Sequence, residues 1–311
     1  MRIGVDLGGT KIEVIALGDG GETLSRRRTA SPQNDYAATL DAIRDLLAAV
    51  ESEACGRGSI GVATPGALSP ESGLIKNSNS HWLIGKPLAE DLESRLGRPV
   101  RLANDADCFA LSEAVDGAAT GAYSVFGVIL GTGVGGGIVI DGRLLRGANA
   151  IAGEWGHNPL PWPSDEERPG PPCYCGRRGC IETFLSGPGL ARDHAGVGDA
   201  SCGNAMTGVD IAAAAAAGDA SCGATLGRYE TRLAKALASV INVVDPEVIV
   251  LGGGVSNIER LYQNLPRLWG DYIFSDSVRT RLVRARHGDS SGVRGAAWLW
   301  PDQQSGGASS S

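Results

Sequence analysis

Residues 2–17 read Arg2-Ile-Gly-Val-Asp-Leu-Gly-Gly-Thr-Lys-Ile-Glu-Val-Ile-Ala-Leu17, and the residues after the paired glycines decide the fold. Apolar and β-branched residues continue past Gly8 and Gly9. Residues 2–6 and 12–17 are therefore read as two strands joined by a tight turn, with a third strand at 22–28. A Walker-type loop or a dinucleotide fingerprint would lead from strand into helix, so both are excluded here. The pattern returns further on, with an apolar strand at 124–130, then Gly131-Thr-Gly-Val-Gly-Gly-Gly137, then a strand at 138–140. Two strand, Gly-Thr turn, strand units point to internal duplication of one β-hairpin.

A third glycine turn, Gly252-Gly253-Gly254, ends a strand at 248–251. Backbone N–H groups at such turns form concave anion sites suited to phosphate oxygens, and glycine lets the chain approach a ligand closely. One such turn reads equally well as a tight corner. Three of them, with the acid Asp6 and the hydroxyls of Thr10 and Thr132, read as a nucleotide site. Helices at 36–53, 88–96 and 225–245 and strands at 60–63 and 100–103 surround these turns, so the chain is mixed α/β. The alanine run at 212–217 fits a helix and carries no function of its own.

The densest chemical signal is Glu154-Trp-Gly-His157 followed, after a Pro-rich stretch, by Cys173-Tyr-Cys-Gly-Arg-Arg-Gly-Cys-Ile-Glu182. Cys173, Cys175, Cys180 and His157 are the ligand set of a closed tetrahedral zinc site, a structural one because no position is left for water. The single residue between the first two cysteines requires a tight loop, for which Gly176 and Gly179 supply the freedom. A disulfide or three unrelated buried thiols are the alternatives. Cys55, Cys108, Cys202 and Cys222 stand singly and read as ordinary core or surface thiols.

With 311 residues the chain can build two domains, each with its own core. A formal charge of -7 without a basic cluster argues against nucleic acid as a partner. No apolar run approaches membrane-spanning length, and residue 1 is followed by no charged-then-apolar leader. With an odd number of cysteines, seven, a cytoplasmic protein with no membrane partner is expected. Residues 303–311 lack apolar anchors and read as a disordered tail.

Together, Asp6-Leu-Gly-Gly-Thr-Lys11, Asn104-Asp105, residues 131–137, Glu154-Trp-Gly-His157, the cysteine loop and Leu251-Gly-Gly-Gly254 resemble the ROK family of repressors and sugar kinases. The resemblance covers essentially residues 1–301, and the cysteine loop running to Glu182 is its most specific part. Asn77-Ser-Asn-Ser-His-Trp82, His157-Asn-Pro-Leu-Pro-Trp162 and the ending at 287–300 look most similar to bacterial fructokinases that also take mannose. The family implies an actin-like ATPase (ribonuclease H-like) fold, two α/β domains around a cleft. The smaller would cover 1–118, joined by a C-terminal helix at 291–300; the larger would cover 119–290 and carry the zinc loop.

The resemblance also implies roles. Asp6, Gly8, Gly9, Thr10 and Lys11 would form the first phosphate loop of an ATP site, and Gly131, Thr132, Gly133, Gly135 and Gly136 the second. Gly253 and Gly254 would lie beside the adenosine, and Mg2+ would bridge the phosphates near Asp6. Asp105, just after an apolar strand, is the candidate catalytic base. Asn104, Glu154, His157 and Glu182 would hold the hexose hydroxyls, with one His157 nitrogen on zinc and the other toward the sugar.

Simpler readings compete. Asn104-Asp105 is also a typical helix N-cap, and Glu154 and Glu182 could be solvated surface acids. Asp107 rivals Asp105, although a helix starting at Asp105 would turn it away. The expected reaction is phosphorylation of D-fructose by ATP, with mannose as a second sugar. Glucokinase and N-acetylhexosamine kinase are the alternatives within the family. A sugar-responsive regulator would need a DNA-binding segment ahead of the first turn, where a strand beginning at Arg2 leaves no room. A non-catalytic sugar-binding module would need neither the base nor the phosphate loops. A homodimer is usual for relatives.

Overall fold

The computed structural model describes residues 1–78, 80–197 and 206–301. The tail expected at 303–311, Cys202 and Asn79 of the 77–82 motif lie outside the described residues. The chain divides into two units, Met1–Ser112 with Arg146–Ile151 and the stretch from Ser290 onward, and Glu113–Leu145 with Ala152–Asp289.

The first stretch contains β1 (Arg2–Leu7), β2 (Lys11–Leu17), β3 (Thr23–Ala30), α1 (Tyr36–Glu53), β4 (Ser59–Thr64), the short pair β5 (Ala67–Leu68) and β6 (Ile75–Lys76), α2 (Leu88–Leu96), β7 (Val100–Asn104) and α3 (Asp105–Val115). There follow β8 (Ser124–Leu130), β9 (Val134–Ile140), β10 (Arg143–Leu144), α4 (Ile181–Leu185), α5 (Gly187–Val197), α6 (Gly208–Ala216), α7 (Ala220–Val244), β11 (Val248–Gly252), α8 (Arg260–Leu268), β12 (Arg281–Arg284) and α9 (Ser291–Ala297). The last of these returns to the first unit.

Each unit is built on a five-stranded sheet, ordered β3-β2-β1-β4-β7 in the first and β10-β9-β8-β11-β12 in the second. In both, an antiparallel three-stranded meander is extended by two parallel strands. The duplication anticipated from two hairpins thus extends to the whole sheet.

In the first unit Ile3, Val5, Ile12 and Val14 are completely buried beneath Ile43 and Leu47 of α1. The chain starts α1 with Asp35, whose side chain accepts from the N–H of Ala38 at 2.9 Å, the usual N-cap bond. Edge strand β3 shows Arg26, Arg27 and Arg28 to solvent, charges that discourage pairing with a further strand. Arg26 also reaches back to the buried Glu13.

On the same sheet α9 sits unusually close. A Cβ at Gly4 would overlap the carbonyl oxygen of Val293, one at Gly61 that of Ala296, and one at Gly295 that of Cys108. Three glycines therefore set the depth at which this helix packs. In the second unit the long α7 lies in the core, with Leu233, Ala234 and Leu237 wholly buried against Phe126, Ile249 and Leu251 of the sheet.

The glycine loop is shorter than the sequence reading of 131–137. It ends at Gly133, because β9 begins at Val134, and Gly135, Gly136 and Gly137 pair in register with Ile129, Val128 and Gly127. Packing accounts for the glycines: a Cβ at Gly136 would stand 2.8 Å from the Gly153 oxygen and from Cδ1 of Trp155. The Trp155 indole N–H also donates to the Gly135 oxygen at 3.0 Å. Among the described residues no helix is long and apolar enough to cross a membrane.

Candidate functional site

In the first unit the β1–β2 turn is fixed by hydrogen bonds to its own carbonyls. Gly8 N–H donates to the Lys11 oxygen at 3.0 Å, Ser31 N–H to Thr10 at 3.0 Å, Ser31 Oγ to Gly8 at 2.7 Å and Gln33 Nε2 to Gly9 at 3.1 Å. Asp6 stands just before this turn. Burial, then the charges of Asp105 and Glu13, push its carboxyl up to about 6 against the pull of Lys11. On the α9 side Gly292 leaves room beside this carboxyl, since a Cβ there would lie 3.7 Å from Asp6 Oδ2.

Asp105 opens α3. Burial raises its pKa, while the Ala106 N–H, donating to Oδ1 at 2.9 Å, works the other way. Asn104 does cap the helix, since its Oδ1 accepts from the Asp107 N–H at 2.6 Å. That bond leaves the side-chain amide as a donor, so capping and ligand binding are compatible in one residue. Because the helix starts at Asp105, Asp107 is carried round to another face.

In the second unit Gly131, Thr132 and Gly133 join β8 to β9, closed by Gly131 N–H donating to the Gly133 oxygen at 3.0 Å. Gly253 supports this turn from β11. Its φ is 81°, and a Cβ there would be 2.5 Å from the Leu130 oxygen, so only glycine fits without strain. Beside the turn lies a cavity of about 620 Å³ lined by Gly131, Thr132, Pro188, Thr207, Gly254 and Ile258, among others. An apolar recess rimmed by hydroxyls and bare backbone suits a flat heterocycle followed by phosphates. The wall contributed by α5 and α6 is not apparent from sequence, where only Gly187-Pro-Gly189 hints at a helix start.

The ligand atoms of His157, Cys173, Cys175 and Cys180 all lie within 4.8 Å of one another. Cys175 Sγ is 3.6 Å from Cys180 Sγ, and Cys173 Sγ is 3.5 Å from His157 Nδ1. A tetrahedral zinc with bonds of about 2.3 Å to sulfur and about 2.0 Å to nitrogen demands edges of roughly 3.5–3.8 Å, and these two spacings match. Every described cysteine is a free thiol, which disposes of the disulfide alternative for these three. Burial and the neighbouring thiols push Cys180 up to about 12, whereas the Arg177 N–H draws Cys175 down.

His157 presents Nδ1 to the sulfurs. Its Nε2, the nitrogen expected to face a sugar, meets the Tyr174 hydroxyl at 2.9 Å. The Tyr174 ring is 82% exposed. Desolvation at its hydroxyl end, then the charges of Glu182, Cys173 and Glu154, raise the phenol to about 12. The Tyr174 hydroxyl thus meets His157 and feels the charges of Glu182 and Glu154, although Tyr174 is absent from the sequence-derived site. Glu182 Oε2 also accepts from the Val134 N–H at 2.9 Å.

A profile of the ROK family matches residues 2–303. An N-acetyl-D-glucosamine kinase from Photobacterium profundum is 40% identical over 303 residues, 96% of this chain and 99% of that one. Among solved structures, a ROK hexokinase from Thermus thermophilus superposes with a TM-score of 0.85 at 34% identity, covering 96% of this chain and 97% of that one. A ROK family glucokinase from Streptomyces griseus, in complex with glucose and AMPPNP, gives a TM-score of 0.75 at 29% identity over 96% and 98%. The fold is the actin-like ATPase fold expected from the sequence.

Proposed function

The chain belongs to the ROK family, and from that premise we propose that it is an ATP-dependent sugar kinase whose substrate is N-acetyl-D-glucosamine. One observation carries the choice of sugar: relatives 40% and 39% identical over nearly their whole length bear that name. It favours the N-acetylhexosamine alternative over the fructose preference read from residues 77–82, 157–162 and 287–300. Residues that grip ring hydroxyls serve any hexose. Selection for an acetamido group comes from hydrogen-bonding partners placed for its N–H and C=O.

In this reading the first unit supplies the chemistry. Asp105 accepts the proton of the sugar 6-hydroxyl as that oxygen bonds to the γ-phosphorus and the bond to the ADP oxygen breaks. The side-chain amide of Asn104, its oxygen engaged by α3, donates to a neighbouring hydroxyl. The turn at Gly8, Gly9, Thr10 and Lys11, whose Gly8 N–H is bonded to the Lys11 oxygen, would direct its remaining N–H groups at the phosphates, with the Lys11 ammonium, 3.6 Å from Glu13, adding positive charge. Mg2+ would supply further charge neutralisation there, with Asp6 as its carboxylate, directly or through water. An acid pushed up to about 6 by burial and by two other acids fits a place that a cation completes.

In the second unit the turn Gly131, Thr132 and Gly133 would receive phosphate oxygens, and the cavity beside Gly254 the adenine. Glu154, His157 and Glu182 accept from and donate to sugar hydroxyls. Zinc held by His157, Cys173, Cys175 and Cys180 would keep the loop that presents them in one shape.

The test is ADP release measured across N-acetyl-D-glucosamine, N-acetyl-D-mannosamine, glucose, mannose and fructose. The expected result is the highest kcat/KM for N-acetyl-D-glucosamine, by about tenfold or more over fructose. A preference for fructose or glucose overturns the sugar assignment; no sugar-dependent ADP release overturns the kinase.

A further inference from the structure

We propose that Glu182 positions the nucleotide turn as well as binding the sugar, an inference that rests on the kinase reading above. The carboxylate is in direct contact with the turn. Its Oε2 accepts from the Val134 N–H at 2.9 Å, and a Cβ at Gly133 would be 2.7 Å from the same oxygen. Val134 is the first residue of β9 and Gly133 the last of the turn.

The opposite side of the turn is held from the junction between α4 and α5. Gly187 N–H, just beyond α4, donates to the Gly131 oxygen at 2.8 Å. Glu182 O accepts from Ser186 N–H at 3.1 Å, closing the helix between these two attachments. Thus the turn of Gly131, Thr132 and Gly133 is held at one end from α4 and at the other from the first residue of α5. Helix α4 follows directly on Cys180, whose carbonyl accepts from Thr183 N–H at 2.9 Å and from Thr183 Oγ1 at 2.7 Å, so the grip is continuous with the His157 and cysteine loop.

Gly131 and Gly133 have no side chains with which to fix their own backbone. Beyond the bond from the Gly131 N–H to the Gly133 oxygen, the orientation of the turn is set by what its flanks are bonded to, and on one flank that is a carboxylate. A carboxylate offers about four acceptor sites on two oxygens, so Oε1 can accept from a sugar hydroxyl while Oε2 holds the turn. One side chain then serves both substrates, and removing it weakens nucleotide binding even when no sugar is present. A residue that only held the sugar would leave nucleotide affinity untouched.

The test is calorimetric binding of AMPPNP without sugar, alongside sugar KM and zinc content, for the wild-type chain, Glu182→Ala and Glu182→Gln. Glutamine keeps a carbonyl oxygen for the Val134 N–H but puts an amide where the second oxygen was. The expected result is AMPPNP affinity about tenfold weaker in E182A and within about twofold of wild type in E182Q. The sugar KM rises about tenfold or more in both variants, and zinc content is unchanged. Wild-type AMPPNP affinity in E182A overturns the inference, as does an equal loss in E182Q and E182A. A wild-type chain that binds no AMPPNP removes the kinase reading itself, a result distinct from either.

Discussion

The Tyr174 hydroxyl lies 2.9 Å from Nε2 of His157, on the nitrogen that a sugar hydroxyl would use. In the kinase reading proposed above, substrate would displace it, and its removal would free that nitrogen for a sugar hydroxyl. Tyr174→Phe is expected to lower the sugar KM about threefold, the worth of one modest hydrogen bond, with little change in kcat. Steady-state kinetics on the wild-type chain and this variant check it; a raised KM would show that the phenol supports His157 instead.

Asp105→Asn retains size and helix position but cannot accept a proton. A fall in kcat of about 10²- to 10⁴-fold is expected, with sugar binding still measurable by calorimetry. Unchanged turnover would remove Asp105 from the mechanism.

Asp6 carries a pH signature. Its carboxyl titrates at about 6 in the folded chain and near 3.9 when unfolded. Between these values the folded state holds the extra proton, so the ligand-free chain loses stability as pH rises from about 4 to about 6. Asp6→Asn eliminates that penalty. It should raise stability by about 1–3 kcal/mol at pH 8 and by little at pH 4, measured by urea unfolding at both, while turnover at pH 8 is expected to fall.

The His157, Cys173, Cys175 and Cys180 cluster should contain about one zinc per chain by elemental analysis. Cys180→Ser, at a buried position, should lose that metal and lower the melting temperature. The same variant with zinc content intact would dissociate this cysteine from the metal.

Much of the fold is legible in the sequence because it depends on local patterns. Apolar runs flanking Gly8-Gly9 and Gly131 give two hairpins, and α1 begins and ends where its apolar spacing does, at Tyr36 and Glu53. The onset of β9 is not legible. Gly135, Gly136 and Gly137 look like loop until Trp155, distant in sequence, packs over them. The ligand cluster can be read because its chemistry is concentrated in one short segment. The attachment of Glu182 to Val134, 48 residues apart, and the place of Tyr174 among three candidate sugar ligands depend on tertiary contacts that no local spacing encodes.

Gly4 and Gly61 let α9 settle against β1 and β4, strands that precede it by well over two hundred residues, and Ile15 and Leu17 pack on Val293 and Ala297. A ribosome that has translated the chain only as far as β7 has therefore made the first sheet with one face uncovered. That face stays open to chaperones or misassembly until α9 has been made. Synonymous codons or C-terminal fusions that delay the emergence of α9 should therefore affect the yield of the N-terminal unit, although they alter none of its strands.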